Sequence, residues 1–367
     1  MSNPFIQYLV SSPYGDIPLD ENKLDLPLEG DASGTSYRRY FHSIENFLAQ
    51  EDFRPFLKAA GEKLMREIPI KEVNRIIIRT EKHGLLYHPA SIELILQQKK
   101  VKFCLNVAMS DSGKTWLQEE LSVLQRLHGK IHPPFLPRVY FGGTYNSMFF
   151  LLEDWFEGYH EFHITVEKGE KRLKLWEFGK GYTYIAPEQS FELFKQASKI
   201  LTLYYDLKDF REIYPWHHAA GDFIVKIDGK GTDVRLSTAR RYESLLDYTQ
   251  EINPLLTLFY FFLNLSIRMR LDRIDGVGEI IWADASCLEG TVTGFFEALK
   301  LKETIDDYPG LSEEFSGLAR SFRKDELKDI LKPIIDMYQG SDDLPVIANN
   351  LEGHIEELYA TLQNLPL

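Results

Sequence analysis

The sequence predicts an α+β fold in two parts, a small antiparallel sheet carrying one main helix, then a larger and mainly helical part. Three observations lead there. NRIIIRTEKHG, SIELILQQKK and VKFCLNVAMS are β-branched or apolar runs separated by turn-prone residues. TWLQEELSVLQRLHG follows them with apolar residues at three- and four-residue steps, and from Pro254 onward the pattern is mostly helical. At 367 residues the chain is too long for one ordinary small domain, and 44% hydrophobic against 26% charged residues is a folding composition rather than a disordered one. The expected division is an N-terminal arm and helical extension over 1–73, a small lobe over 74–158 and a helical large lobe over 159–367.

Taken in order, the residues up to about Gly34 are rich in Pro, Asp, Gly and Ser, which reads as an extended arm without evident chemistry. Tyr40, Ile44, Phe47, Leu48, Phe53, Phe56 and Leu57 then recur at helical spacing and predict packing helices between Ser36 and Met65. Three strands come next, and after the turn DSGK a helix whose Leu117, Leu121, Leu124 and Leu127 share one face and which Gly129 stops. PRVYFGG and SMFFLLEDW are two further strands. FHITVEKGEKRLKLWEF reads as a hairpin ahead of a helix starting near Pro187, where proline costs nothing. The longest apolar run, PLLTLFYFFLNLSI, falls well short of the ~20 residues of a membrane span and ends in RMRLDR, so a buried helix is expected. RSFRKDELKDILKPIIDMY, with alternating signs, reads as a solvated helix face.

Charge and cysteines narrow the function. A net charge of −13 repels a polyanionic backbone, so nucleic acid is not an expected partner. Cys104 and Cys287 lie in apolar segments without CxxC spacing, and MSNPFIQYLVSS has no signal-peptide pattern; both point to a reducing, cytoplasmic setting.

One motif invites nucleotide chemistry directly. AMSDSGKT lies between a strand and a helix and satisfies a loose phosphate-loop pattern, with Gly113, Lys114 and Thr115 as the phosphate and Mg²⁺ residues and Glu153 and Asp154 as the acidic strand end. Ala108 replaces the first glycine, however, and the preceding strands meander where a parallel sheet is needed. A glycine-containing turn with a solvated lysine is the expected outcome, and a phosphate-loop nucleotidase or kinase the alternative.

The order strand, strand, strand, helix, strand, strand, acidic hinge and helical lobe resembles protein-kinase-like folds, in particular aminoglycoside phosphotransferases and bacterial lipopolysaccharide kinases. It extends from about Asn74 to Tyr248, with QSFELFKQASKILTLYYDL as the long helix, YPWHHAAGDFIVK as the catalytic loop and first strand, and DVRLSTARRY as the second. The resemblance implies ATP and Mg²⁺, held by a lysine, metal-binding carboxylates and a catalytic base. Residue by residue, Asn106 stands where the phosphate-binding lysine belongs, with Glu119 or Glu120 as its former partner. His217 stands at the catalytic aspartate, Asp222 at a metal-binding asparagine and Ser237 at the second metal-binding aspartate, while Arg240 matches the arginine of lipopolysaccharide kinases. Glu153 belongs to the hinge strand, and Trp155, Phe156 and Tyr159 follow where an adenine ring stacks.

An amide carries no charge for a phosphate, and serine is a weak Mg²⁺ ligand beside a carboxylate. The expectation is therefore a kinase-like protein with weak or absent phosphotransfer that binds a nucleotide, a phosphorylated small molecule or a protein partner. The alternative is an active small-molecule or saccharide kinase with Asp222 on Mg²⁺ and His217 near the acceptor hydroxyl, or with Asp228 or Asp233 doing that work. His217, His218 and Asp222 also suggest a transition-metal site, against which adjacent histidines point in different directions and no third ligand stands at suitable spacing; Arg235, Arg240 and Arg241 suggest a phosphate-binding patch, against a surface ion-pair network.

Overall fold

The computed structural model describes residues 4–12, 14–31, 34–81, 84, 86–97, 99–177, 179–245 and 253–364. Tyr248 and Phe178, which end two of the stretches singled out above, lie outside them. The chain forms two compact units: Met1–His128 with Pro137–Glu157 and Phe178–Gly181, and Gly129–Leu136 with Gly158–Glu177 and Tyr182–Leu367.

In the first unit, β1 (Phe5–Ser12) and β2 (Gly15–Pro18) precede helices α1 (Tyr37–Leu48) and α2 (Arg54–Leu64). Then come β3 (Val73–Thr80), β4 (His88–Leu96), β5 (Lys100–Ala108), α3 (Asp111–Leu127), β6 (Val139–Tyr145) and β7 (Met148–Asp154). The seven strands make one sheet in the order β2-β1-β3-β4-β5-β7-β6. The meander β3-β4-β5 is antiparallel, as expected. The arm differs: β1 runs parallel to β3, Phe5 opposite Arg75 through Val10 opposite Thr80, and extends the sheet. Its run FIQYLV is short and bounded by turn residues, so local pattern alone does not reveal a strand whose partner lies far along the chain.

Helix α1 begins at Ser36, whose hydroxyl accepts the Arg39 amide at 3.3 Å and satisfies one open donor of the first turn. Its buried side Tyr40, Phe41, Ile44 and Phe47 joins Phe56 of α2 and Ile76, Ile78, Ile92, Phe103, Leu105 and Phe150 of the sheet in one core. Both helices share this core with the strands, and residue 73 is the first of β3. Side chains alternate along β5, so Val101, Phe103, Leu105 and Val107 enter this core while Lys102, Cys104 and Asn106 face the other way.

The second unit begins with β8 (His160–Glu167), β9 (Glu170–Glu177), β10 (Gly181–Tyr184), α4 (Pro187–Tyr204), β11 (Arg211–Ile213), β12 (Phe223–Asp228), β13 (Gly231–Leu236) and β14 (Tyr242–Ser244). It continues with α5 (Pro254–Arg268), β15 (Leu271–Arg273), β16 (Ile280–Trp282), α6 (Ala285–Ile305), α7 (Leu311–Ser321), α8 (Lys324–Asp336) and α9 (Leu344–Gln363). The hairpins β8-β9 and β12-β13, read separately in the sequence, join through Ile224 opposite Glu161 into a five-stranded sheet, β10-β9-β8-β12-β13. Helix α4 is held by α6, where a Cβ on Gly294 would lie 1.9 Å from the Lys195 carbonyl oxygen and one on Gly290 2.8 Å from that of Phe191. Only glycine permits that approach, and it fixes the helix that leads to β11 and the loop beyond it. Helix α5 is buried along most of its length, and among the described residues no helix is long and apolar enough to cross a membrane. Lys324 and Lys328 of α8 pair with Glu356 and Glu352 of α9, the solvated face that the charge pattern predicts.

Candidate functional site

The expected site residues fall into two groups, one in each unit. In the first, β5 lies between β4 and β7, which sets Cys104 opposite Glu153 and brings Asn106 within reach of it. The Asn106 amide Nδ2 donates to Glu153 Oε1 at 3.0 Å. Helix α3 carries Glu120 onto the same face of the sheet, and Glu120 and Glu153 are 0% and 3% exposed. Burial, then the charge of Glu120, pushes the Glu153 carboxyl well above its usual range. Burial and Glu153 raise the Cys104 thiol in the same way. Two buried carboxyls thus meet across an amide and a thiol, and the position that the resemblance assigns to a lysine supplies no positive charge.

Nearby groups are occupied as well. Asp154 accepts from Lys63 at 3.0 Å and from the Tyr140 hydroxyl at 2.8 Å. The Lys102 ammonium lies 3.7 Å from the centre of the Trp155 ring, so a cation covers a face proposed for an adenine.

The phosphate-loop alternative is not supported. Gly113, Lys114 and Thr115 sit in the first turn of α3 rather than in a loop, and the strands around them are antiparallel. The Gly113 amide donates to Ser110 Oγ at 3.0 Å, Lys114 pairs with Asp111 at 2.9 Å and the Thr115 hydroxyl donates to the Asp111 carbonyl at 3.1 Å. Glycine is needed at 113 because a Cβ there would lie 2.4 Å from the Leu86 carbonyl oxygen, a packing reason and not a phosphate. Lys114→Ala is accordingly expected to change stability by less than about 0.5 kcal/mol, as for an exposed helix ion pair, and to leave ligand binding untouched. Urea denaturation with a nucleotide titration checks both.

In the second unit the loop between β11 and β12 carries His217, His218 and Asp222. Asp222 is 0% exposed. Arg240 grips it with both nitrogens, Nη1 to Oδ2 at 2.7 Å and Nη2 to Oδ1 at 2.6 Å, and the His217 backbone amide donates to Oδ2 at 2.8 Å. The Ser237 hydroxyl donates to the carbonyls of Gly221 and Asp222, both at 3.1 Å, and its amide to the Asp222 carbonyl at 2.7 Å. His217, Asp222, Ser237 and Arg240 are therefore brought together, as a structural knot. His217 Nδ1 accepts the Ala219 amide at 3.0 Å, and burial, then Arg268, holds its imidazole below the usual range.

His218 points elsewhere, into rings of Phe162, Phe194, Trp216 and Phe223 at 5.4 to 5.7 Å; burial lowers it to about 4 and it is a neutral core residue. Among the described residues, no group of three or more His, Cys, Asp or Glu side chains could hold a metal ion. Asp233 pairs with Arg235 at 2.5 Å and accepts the Tyr159 hydroxyl at 2.6 Å, Asp228 lies 3.6 Å from Lys226, and Arg241 lies 3.7 Å from Glu243. These are the ion pairs offered above as the simpler account of the basic patch.

The sequence gives no hint of a second buried cluster in this unit. His163 lies between Asp272, 3.5 Å from Nδ1, and Glu161, 3.6 Å from Nε2, with His163 and Asp272 both nearly inaccessible. Burial opposes its charge, but the two carboxylates outweigh burial and raise it to about 9. A basic group raised on folding stabilises fully below its unfolded value of 6.5, and that contribution is lost as pH rises through about 9. Urea midpoints across that window are expected to fall with rising pH, and to fall less in His163→Gln.

No family model and no curated protein matches the chain. Among solved structures it is similar to the crystal structure of the PF14_0431 kinase domain, with 11% identity and a TM-score of 0.31 over 80% of this chain and 86% of that one. No residue role carries over at that similarity.

Proposed function

We propose that the chain is a kinase-like protein that acts by binding rather than by phosphoryl transfer. The observation that carries this reading is the Asp222–Arg240 pair. Mg²⁺ takes oxygen ligands at short distances in near-octahedral geometry. Asp222, the carboxylate aligned with that role, is itself wholly buried and has both oxygens committed to a guanidinium. Freeing it costs on the order of several kcal/mol, the penalty of an unpaired buried charge. Ser237 is hydrogen-bonded to two carbonyls and Asn106 to Glu153, so the remaining positions do not compensate. The residues present do not fit Mg·ATP.

What the protein binds instead is a small molecule or a protein partner, with the kinase-like scaffold as support. Incubation of the full chain with Mg²⁺ and γ-labelled ATP is the test, with water, simple sugars and the protein itself as acceptors. No label transfer above the blank is expected. Transfer that disappears in Asp222→Asn would return the chain to the active kinases, with Asp222 on the metal and His217 beside the acceptor.

A further inference from the structure

Strand β9 turns Leu173 and Leu175 inward, which leaves Arg172, Lys174 and Trp176 together on its other face. Tyr182 and Tyr184 of the neighbouring edge strand β10 stand beside them. Trp176 is 37% and Tyr182 49% exposed, unusual for rings of that size. Their centres are 5.6 Å apart, as are those of Tyr182 and Tyr184, with the planes inclined by 56° and 73°. Lys174 Nζ lies 4.5 Å from the Tyr182 ring centre and Arg172 Cζ 3.7 Å from that of Tyr184. Both cations are themselves paired, Arg172 with Glu167 at 3.4 Å and Lys174 with Asp275 at 3.1 Å.

We propose that this face binds a neutral oligosaccharide, with a sugar ring laid on Trp176 and its hydroxyls met by Tyr182 and the charged rim. An aromatic face is electron-rich and attracts polarised C–H groups, which is what the flat side of a pyranose presents. The paired charges along the rim supply hydrogen-bond donors and acceptors in fixed positions without net charge, as suits hydroxyl groups. Other occupants fit less well. A polyanion meets a chain of net charge −13. A protein partner typically needs about 20–30 residues on each side, far more than the side chains gathered here. A purely apolar ligand would make no use of the charged rim. This inference is independent of the proposed loss of phosphotransfer.

Calorimetric titration of the full chain with cellohexaose, maltohexaose and chitohexaose tests it. Saturable binding of at least one is expected, read first on the unaltered protein. Trp176→Ala and Tyr182→Ala should each weaken it about tenfold, in variants whose circular dichroism shows the fold retained. No binding of any of the three into the millimolar range overturns the proposal, as does binding that survives both substitutions together.

Discussion

Arg240→Ala is expected to cost about 3–5 kcal/mol of stability, the largest loss of any substitution considered, because it strands a buried carboxylate. The geometry sets the size of the effect. Asp222 is wholly buried and Arg240 partly so, their two bonds are 2.6 and 2.7 Å long, and among the described residues replacing the guanidinium leaves the His217 amide on the carboxylate. The double variant Asp222→Ala with Arg240→Ala should recover part of the loss, since it removes the stranded charge as well. Urea denaturation of the four proteins in the cycle measures this. A single-variant cost below about 1 kcal/mol, typical of an exposed pair, would show that Asp222 has other support and could be free for a ligand.

Asn106→Lys is expected to act in the opposite direction. The Glu153 carboxyl is raised above 4.5 by burial and by Glu120, so the folded protein holds a proton that the unfolded chain gives up. Stability from that group is present below pH 4.5 and declines as pH rises toward its folded value. A lysine ammonium at 106 would lie beside the Glu153 carboxyl, lower it, and flatten the decline. Near neutral pH the variant should gain about 1.5–3 kcal/mol, the range of a hydrogen bond to a charged group. A variant that is less stable at neutral pH, or that keeps the wild-type slope, would mean that burial of the Glu153 carboxyl does not set that slope.

Much of the architecture was legible because it is local. The leucines of α3, Pro187 at the head of α4, the apolar run of α5 and the β8-β9 hairpin all announce themselves within a single period or turn. The parallel pairing of β1 with β3 and the joining of β8 to β12 were not legible, since strand pairing is decided by faces buried far apart in the sequence. The same division runs through the site. Asn106, His217 and Ser237 could be singled out by their place along the chain alone. That Arg240 turns back on Asp222, across 18 residues, and that Asn106 is spent on Glu153, across 47, are facts of three-dimensional packing. His163 with Asp272, 109 residues apart, gave no signal because nothing local to HEFHITVE or LDR brings the two strands together.

The central claim is that internal pairing has taken the place of a grip on metal and nucleotide. Thermal melting of the full chain in saturating Mg·ATP tests it most directly, because a ligand at 100 times its dissociation constant adds ~2.7 kcal/mol to the folded state. The account predicts an unchanged melting curve. A saturable rise that needs Mg²⁺ and vanishes in Asp222→Ala would contradict it.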